Sequence, residues 1–168
     1  TNTLGFGIIA SGADVTNKGE ITLEDSLNPT EPNIGLYTVD SNPFKNMGKI
    51  TVGKNGIGIY GKNFSNGDSA TLPNSTIEVG ENGIGFYGKN SEIEAKGTAN
   101  FSNKGILAYL IDSKFTSYLG NLSGSNNTML FIKNSQVNLA GNGTPVDVTV
   151  DDDQTGMYIE GASSTLTG

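Results

Sequence analysis

Few residue types in this chain are able to do chemistry. Its 168 residues include no His, no Cys and no Trp, and all ten basic residues are Lys rather than Arg. Ser–His–Asp and Cys–His catalysis therefore have no base or thiol to work with. A zinc site of the usual His/Cys kind has no ligands. What remains is oxygen chemistry. Carboxylates recur in close pairs, Glu78 with Glu81 and Glu92 with Glu94, and two carboxylates suffice for glycoside hydrolysis when they flank one bond. The run Asp151, Asp152, Asp153 offers hard oxygen ligands of the type calcium takes. Three consecutive Asp side chains cannot face one point, however, and the Glu pairs fall in stretches that read as strands and turns. Both are expected to be solvated surface. GKN at 61–63 and 88–90 lacks the GxxxxGK[ST] spacing and the following helix of a phosphate loop. No catalytic residue, cofactor or metal is expected, and the chain does not read as an enzyme.

Bulk properties narrow the classes further. A net charge of −7 disfavours nucleic acid, whose phosphates need Lys and Arg patches. No run of about 18 apolar residues is present, so no segment is expected to insert in a membrane as a helix. Residue 1 does not open a signal peptide, so the chain is expected to be a mature protein or an excised piece of one. Apolar residues are 35% of the chain, few for a compact globule, yet their regular spacing argues against disorder.

The elements that position these residues are repeated. NGIGIYGKN at 55–63 recurs as NGIGFYGKN at 82–90, and weaker versions of the phrase run the length of the chain. Aligned on Ile9, Tyr37, Tyr60, Tyr87, Tyr109, Phe131 and Tyr158, successive copies are 28, 23, 27, 22, 22 and 27 residues apart. Three residues past each anchor stands Gly12, Asp40, Asn63, Asn90, Asp112, Asn134 or Gly161. These types tolerate the left-handed backbone of a tight turn. Ser41, Ser91, Ser113 and Ser135 follow, then a second apolar stretch with Ile93, Phe115 and Val137. A third short stretch alternates apolar with polar at Ile21 and Leu23, Ile50 and Val52, Ile77 and Val79, Val146 and Val148, the mark of a half-buried strand.

Short strands, tight turns and a period near 25 predict an all-β fold. The form expected is a right-handed parallel β-helix of about seven coils of 22–28 residues, occupying 1–168 as a single segment. Length variation is expected in loops 25–33 and 64–74, which are also secondary candidates for a contact site.

Strict alternation along the anchor strand places positions −3 and −1 on one face, and −2, the anchor and +2 on the other. The bulky column at −1 (Ile8, Leu36, Ile59, Phe86, Ala108, Leu130, Met157) and the isoleucines at −3 are expected in the core. The glycines at −2 (Gly7, Gly35, Gly58, Gly85, Gly156) and the aromatics are expected outside, each ring over a neighbouring Gly. The candidate binding face is then the ladder Tyr37, Tyr60, Tyr87, Tyr109, Phe131 and Tyr158, with Lys62, Lys89 and Lys133 beside it. Two readings fit such a ladder. It stabilises the sheet, at roughly 0.5–1.5 kcal/mol per ring pair, or it is an exposed patch for sugar rings or a partner protein.

The two nine-residue phrases, with the linking stretches NKGEITL at 17–23 and NMGKITV at 46–52, resemble the passenger regions of large fusobacterial type V autotransporters. The Asn-, Lys- and Ile-rich, Arg-free composition agrees with a low-GC source. The resemblance implies a passenger segment exposed at the cell surface, anchored to the Gram-negative outer membrane through a barrel absent from this chain. It implies adhesion to other bacteria, host glycans or host receptors, and it supplies no binding residues. Neither TNTLGFG nor STLTG reads as a cap, so open coil ends are expected. The alternative is a carbohydrate-active or carbohydrate-binding β-helix of the phage tail-spike or polysaccharide-degrading type. Enzymes of that type typically draw on Arg or His, which this chain lacks.

Overall fold

The computed structural model describes residues 4–40, 44–63, 71–120, 122–124, 128–141, 148–150 and 155–168. Ser41, Val146, the Asp151–Asp153 run and residues 64–70 of the second loop lie outside the described residues. Every strand pairing is parallel, and pairs form between successive turns of the chain. The first coil comprises β1 (Phe6–Ser11), β2 (Val15–Asn17) and β3 (Glu20–Leu23), and the second β4 (Ile34–Val39), β5 (Phe44–Asn46) and β6 (Lys49–Val52). The third has β7 (Ile57–Lys62) and β8 (Thr76–Val79), and the fourth β9 (Ile84–Lys89), β10 (Glu92–Ala95) and β11 (Thr98–Phe101). Then come β12 (Ile106–Ile111), β13 (Lys114–Ser117) and β14 (Leu122–Gly124), followed by β15 (Thr128–Lys133), β16 (Gln136–Leu139) and β17 (Val148–Val150). The last coil holds β18 (Met157–Glu160) and β19 (Thr165–Thr167). This is a parallel β-helix.

The first strands of all seven coils join in one sheet, β1-β4-β7-β9-β12-β15-β18. Its register pairs Ile9 with Tyr37, Tyr37 with Tyr60, Tyr60 with Tyr87, Tyr87 with Tyr109, Tyr109 with Phe131 and Phe131 with Tyr158. The repeat alignment and the sheet register are thus the same. The second strands pair as β2-β5 and β10-β13-β16-β19, and the third as β3-β6-β8-β11 and β14-β17. Ile93, Phe115 and Val137 stack in register, as do Ile21, Ile50 and Ile77.

Turn chemistry explains why each coil closes where it does. Asp40, Asn63, Asn90, Asp112 and Asn134 have φ between 46° and 52°, while Gly12 and Gly161 have φ of 58° and 95°. All seven residues at anchor +3 are therefore left-handed, a conformation that Asn, Asp and Gly adopt at least cost. Asn55, Asn82 and Lys104 repeat the device five residues before their anchors, with φ of 57°, 56° and 59°. The nine-residue phrase is a strand held between two left-handed asparagines.

The core lies between the three faces that the first, second and third strands of the coils form. Leu36, Ile59, Phe86, Ala108 and Leu130 at position −1 are no more than 1% exposed. They meet Phe44, Ile93, Phe115 and Val137 from the second strands and Ile50, Ile77 and Val79 from the third. Each such Leu, Ile or Phe side chain contributes about 1.5–3 kcal/mol relative to leaving it in water.

Two expectations about the faces are overturned. The glycines at −2 do not point outward. A Cβ built on Gly35 would fall 2.4 Å from Ile50 Cγ2, one on Gly58 2.8 Å from Ile77 Cγ2, and one on Gly85 3.0 Å from Phe101 Cε1. All three contacts are with the third-strand sheet, across the interior. Leu107 and Met129, which hold the same position in later coils, are core residues at 0% and 1% exposure. The sheet register steps from −3 to −1 and omits −2. Both −2 and −1 turn inward there, so the alternation breaks and −3 is carried to the outer face. Phe6, at −3, accordingly makes a ring contact with Tyr37 at 5.7 Å, and Ile34 and Ile57, though buried, stand apart from the core cluster. Beyond the break, +1 faces the core with Leu110 and Ile132.

Candidate functional site

Along the outer face of the seven-stranded sheet, the anchor side chains form a half-buried aromatic ladder. Centroid spacings are 5.0 Å for Tyr37–Tyr60, 4.5 Å for Tyr60–Tyr87, 5.2 Å for Tyr87–Tyr109, 4.2 Å for Tyr109–Phe131 and 4.9 Å for Phe131–Tyr158. The spacing follows from the sheet, because equivalent residues of parallel neighbours lie about 4.8 Å apart. Burial raises the pKa of Tyr60 and Tyr87 above the ordinary phenol value, and negative charge on a neighbouring tyrosine would raise it further.

The ladder has two halves. From Tyr87 to Tyr158 the rings are nearly parallel, at 8°, 4° and 13°, so each stacks on its neighbour's face. Tyr37, Tyr60 and Tyr87 instead meet at 60° and 58°, which turns part of each face away from its neighbour. A sugar or apolar partner needs ring faces; the tilted rings turn part of theirs away from one another, and Tyr158, 46% exposed, ends the stacked half.

Position +2 flanks the ladder with Val39, Lys62, Lys89, Ile111, Lys133 and Glu160 in register. Lys89 is exposed and Lys62 half-exposed. Lys133 is 3.0 Å from Glu160, and the hydrogen bond to that carboxylate holds its pKa above the ordinary lysine value.

On the other flank, the −3 isoleucines and loop 25–33 enclose a groove of about 440 Å³. Its floor is Ile57, Ile84 and Tyr87, and its wall is Pro29 and Pro32, with Asn55 and Asn82, equivalent residues of adjacent coils, also lining it. The wall is pinned in place. Ser26 donates its N–H to the Lys54 carbonyl at 2.8 Å and accepts at its carbonyl from Asn55 Nδ2 at 2.8 Å. Ser26 Oγ accepts the Asn33 N–H at 2.6 Å, and Asp25 Oδ1 accepts the Lys54 N–H at 2.7 Å. Asn28 caps the tip by accepting from Thr30 N–H and Thr30 Oγ1 at 3.0 and 2.8 Å. Sequence reasoning named the loop and the ladder separately; their meeting here depends on the −3 residues facing outward.

The carboxylate pairs separate. Glu78 lies 2.8 Å from Lys49, Glu81 3.2 Å from Lys54 and Glu94 3.3 Å from Lys96. The hydrogen bond from Lys49 depresses the Glu78 pKa, and the same bond raises that of Lys49. Glu92 lines a polar groove of about 300 Å³ with Asp112, Lys114, Asn134 and Gln136, on the corner after the ladder. Among the described residues, no group of three or more carboxylates is placed to hold a metal ion. No protein-family description, curated protein or solved structure proved significantly similar to this chain.

Proposed function

We propose that this β-helix is a non-enzymatic segment of a bacterial cell-surface adhesin, a passenger rod whose outer sheet offers a binding face to a glycan or protein receptor. The observation that carries the reading is the unbroken aromatic ladder on the outer face of the seven-stranded sheet. Aromatic surface left outside the core is the kind that partners cover. Most of that ladder is scaffold by its own geometry, because stacked rings satisfy one another. Recognition belongs to the tilted section at Tyr37, Tyr60 and Tyr87 and to what adjoins it.

The test is binding of the purified chain to a glycan array and to bacterial and epithelial cells, beside the variant Tyr60→Ala/Tyr87→Ala/Tyr109→Ala with unchanged β circular dichroism. Saturable binding lost in the variant supports the reading. Intact binding by a folded variant removes the ladder from it.

A carbohydrate-active module is the second reading, favoured by the two carboxylates of Glu92 and Asp112 lining one polar groove. It requires product release from a polysaccharide that falls on Glu92→Gln, whereas an adhesin binds without turnover.

A further inference from the structure

We infer that the groove between loop 25–33 and the tilted section of the ladder is a subsite for a neutral saccharide ring. This deepens the reading of the outer sheet as a binding face and rests on it. At about 440 Å³ the groove lies within the range of small-ligand sites, roughly 300–1,000 Å³. Its lining supplies what a sugar ring requires. Ile57, Ile84 and the ring of Tyr87, which stacks on Tyr109 and is tilted against Tyr60, give an apolar floor for a carbohydrate's C–H face, and Pro29 and Pro32 close one side.

Polar recognition falls to the two asparagines, and they are unlike. The Asn55 amide is committed to the Ser26 carbonyl. The exposed Asn82 side chain has no hydrogen-bond partner among the described residues, leaving its carbonyl and its NH₂ for a ligand's hydroxyls.

Among the described residues no charged side chain lines the groove, and the chain as a whole carries −7. Both facts select against sialic and uronic acids. An extended peptide fits poorly as well. Strand addition draws its affinity from main-chain hydrogen bonds, and the proline wall has no N–H to donate. The wall is also held by six hydrogen bonds described above, so little ordering is left for the ligand to drive.

The experiment is methyl NMR of the whole chain labelled at isoleucine δ1, titrated at millimolar levels with the methyl β-glycosides of glucose, galactose and N-acetylglucosamine. N-acetylneuraminic acid serves as the anionic control. The expected result is saturable movement of the Ile57 and Ile84 methyl signals with at least one neutral glycoside and none with the acid. Asn82→Gly preserves the left-handed turn and removes the amide, and Pro29→Gly opens the wall. Each should weaken binding by about tenfold or more with the remaining methyl spectrum unchanged. Silence of both methyls toward all three neutral glycosides overturns the inference, as does equal response to the acid. If array binding persists while these methyls stay silent, the groove fails and the ladder reading survives. If the groove binds sugar but no cell is bound, the subsite stands and the adhesion reading fails.

Discussion

The hydroxyl oxygen of Ser135 accepts the backbone N–H of Ser113 at 2.9 Å, joining one coil to the coil before it. The same hydroxyl donates to the Lys133 carbonyl at 2.7 Å. Ser113 repeats both bonds, to Ser91 N–H at 3.0 Å and to the Ile111 carbonyl at 2.7 Å, and Ser164 continues the column. Each serine caps its own strand and satisfies a backbone donor of its neighbour, at corners where the sheet ladder stops.

Ser135→Ala should therefore cost about 1–3 kcal/mol, the penalty for leaving a buried donor unmade. Urea unfolding followed by circular dichroism measures it. A loss below a few tenths would show that water replaces the hydroxyl.

The inward glycines make a sharper contrast. A Cβ on Gly58 would sit 2.7 Å from the Gly85 carbonyl oxygen and 2.8 Å from Ile77 Cγ2, so Gly58→Ala should destabilise by about 1–3 kcal/mol. At Gly156 the nearest atom is Val150 Cγ1 at 3.4 Å. Gly156→Ala should be neutral or stabilise by up to about 1 kcal/mol, and thermal melts of the pair test the difference.

Thr38 stands at 1% exposure in the core, and its Oγ1 has no hydrogen-bond partner among the described residues. Thr38→Val keeps the branched shape and removes the unpaired hydroxyl. It should stabilise the fold by about 1 kcal/mol, seen as a higher urea midpoint with unchanged slope.

Stability should also fall in alkali. The phenols of Tyr60 and Tyr87 have folded pKa values above the unfolded one, chiefly through burial. The folded state then holds more protons than the unfolded state once pH exceeds about 10, so the stabilisation is whole below that pH and is lost as pH rises through the folded values. Tyr60→Phe/Tyr87→Phe should flatten the decline in urea midpoint between about pH 9 and pH 11. Equal slopes in variant and parent would assign the effect to other groups.

Register was legible because the sequence spells it. Tyr60 against Tyr87 and Ile57 against Ile84 are the same letters in the same phrase, and parallel coils place like beside like. The turns were legible too, since Asn63, Asn90 and Asn134 are types with a chemical reason to be left-handed. The orientation of −2 and −3 was misread because period-2 alternation assumes a regular strand. One signal against it was present: Leu107 and Met129 stand where Gly35, Gly58 and Gly85 do, and such bulk belongs inside. What no periodicity announces is the groove. Pro29 and Pro32 meet Ile57, Ile84 and Tyr87 only because loop 25–33 reaches over the following coils, a long-range contact set by the hydrogen bonds of Ser26.

Because the strands lie across the helix axis, the hydrogen bonds between coils run along it. Tension applied end to end would load those bonds nearly head-on and part them a few at a time, the geometry of a zipper rather than of a shear joint. One parted coil, such as the 22 residues from Tyr87 to Tyr109, would release roughly 75 Å of slack while the others held. In the proposed adhesin role, such stepwise lengthening would keep the far end attached under drag that would snap a stiff rod.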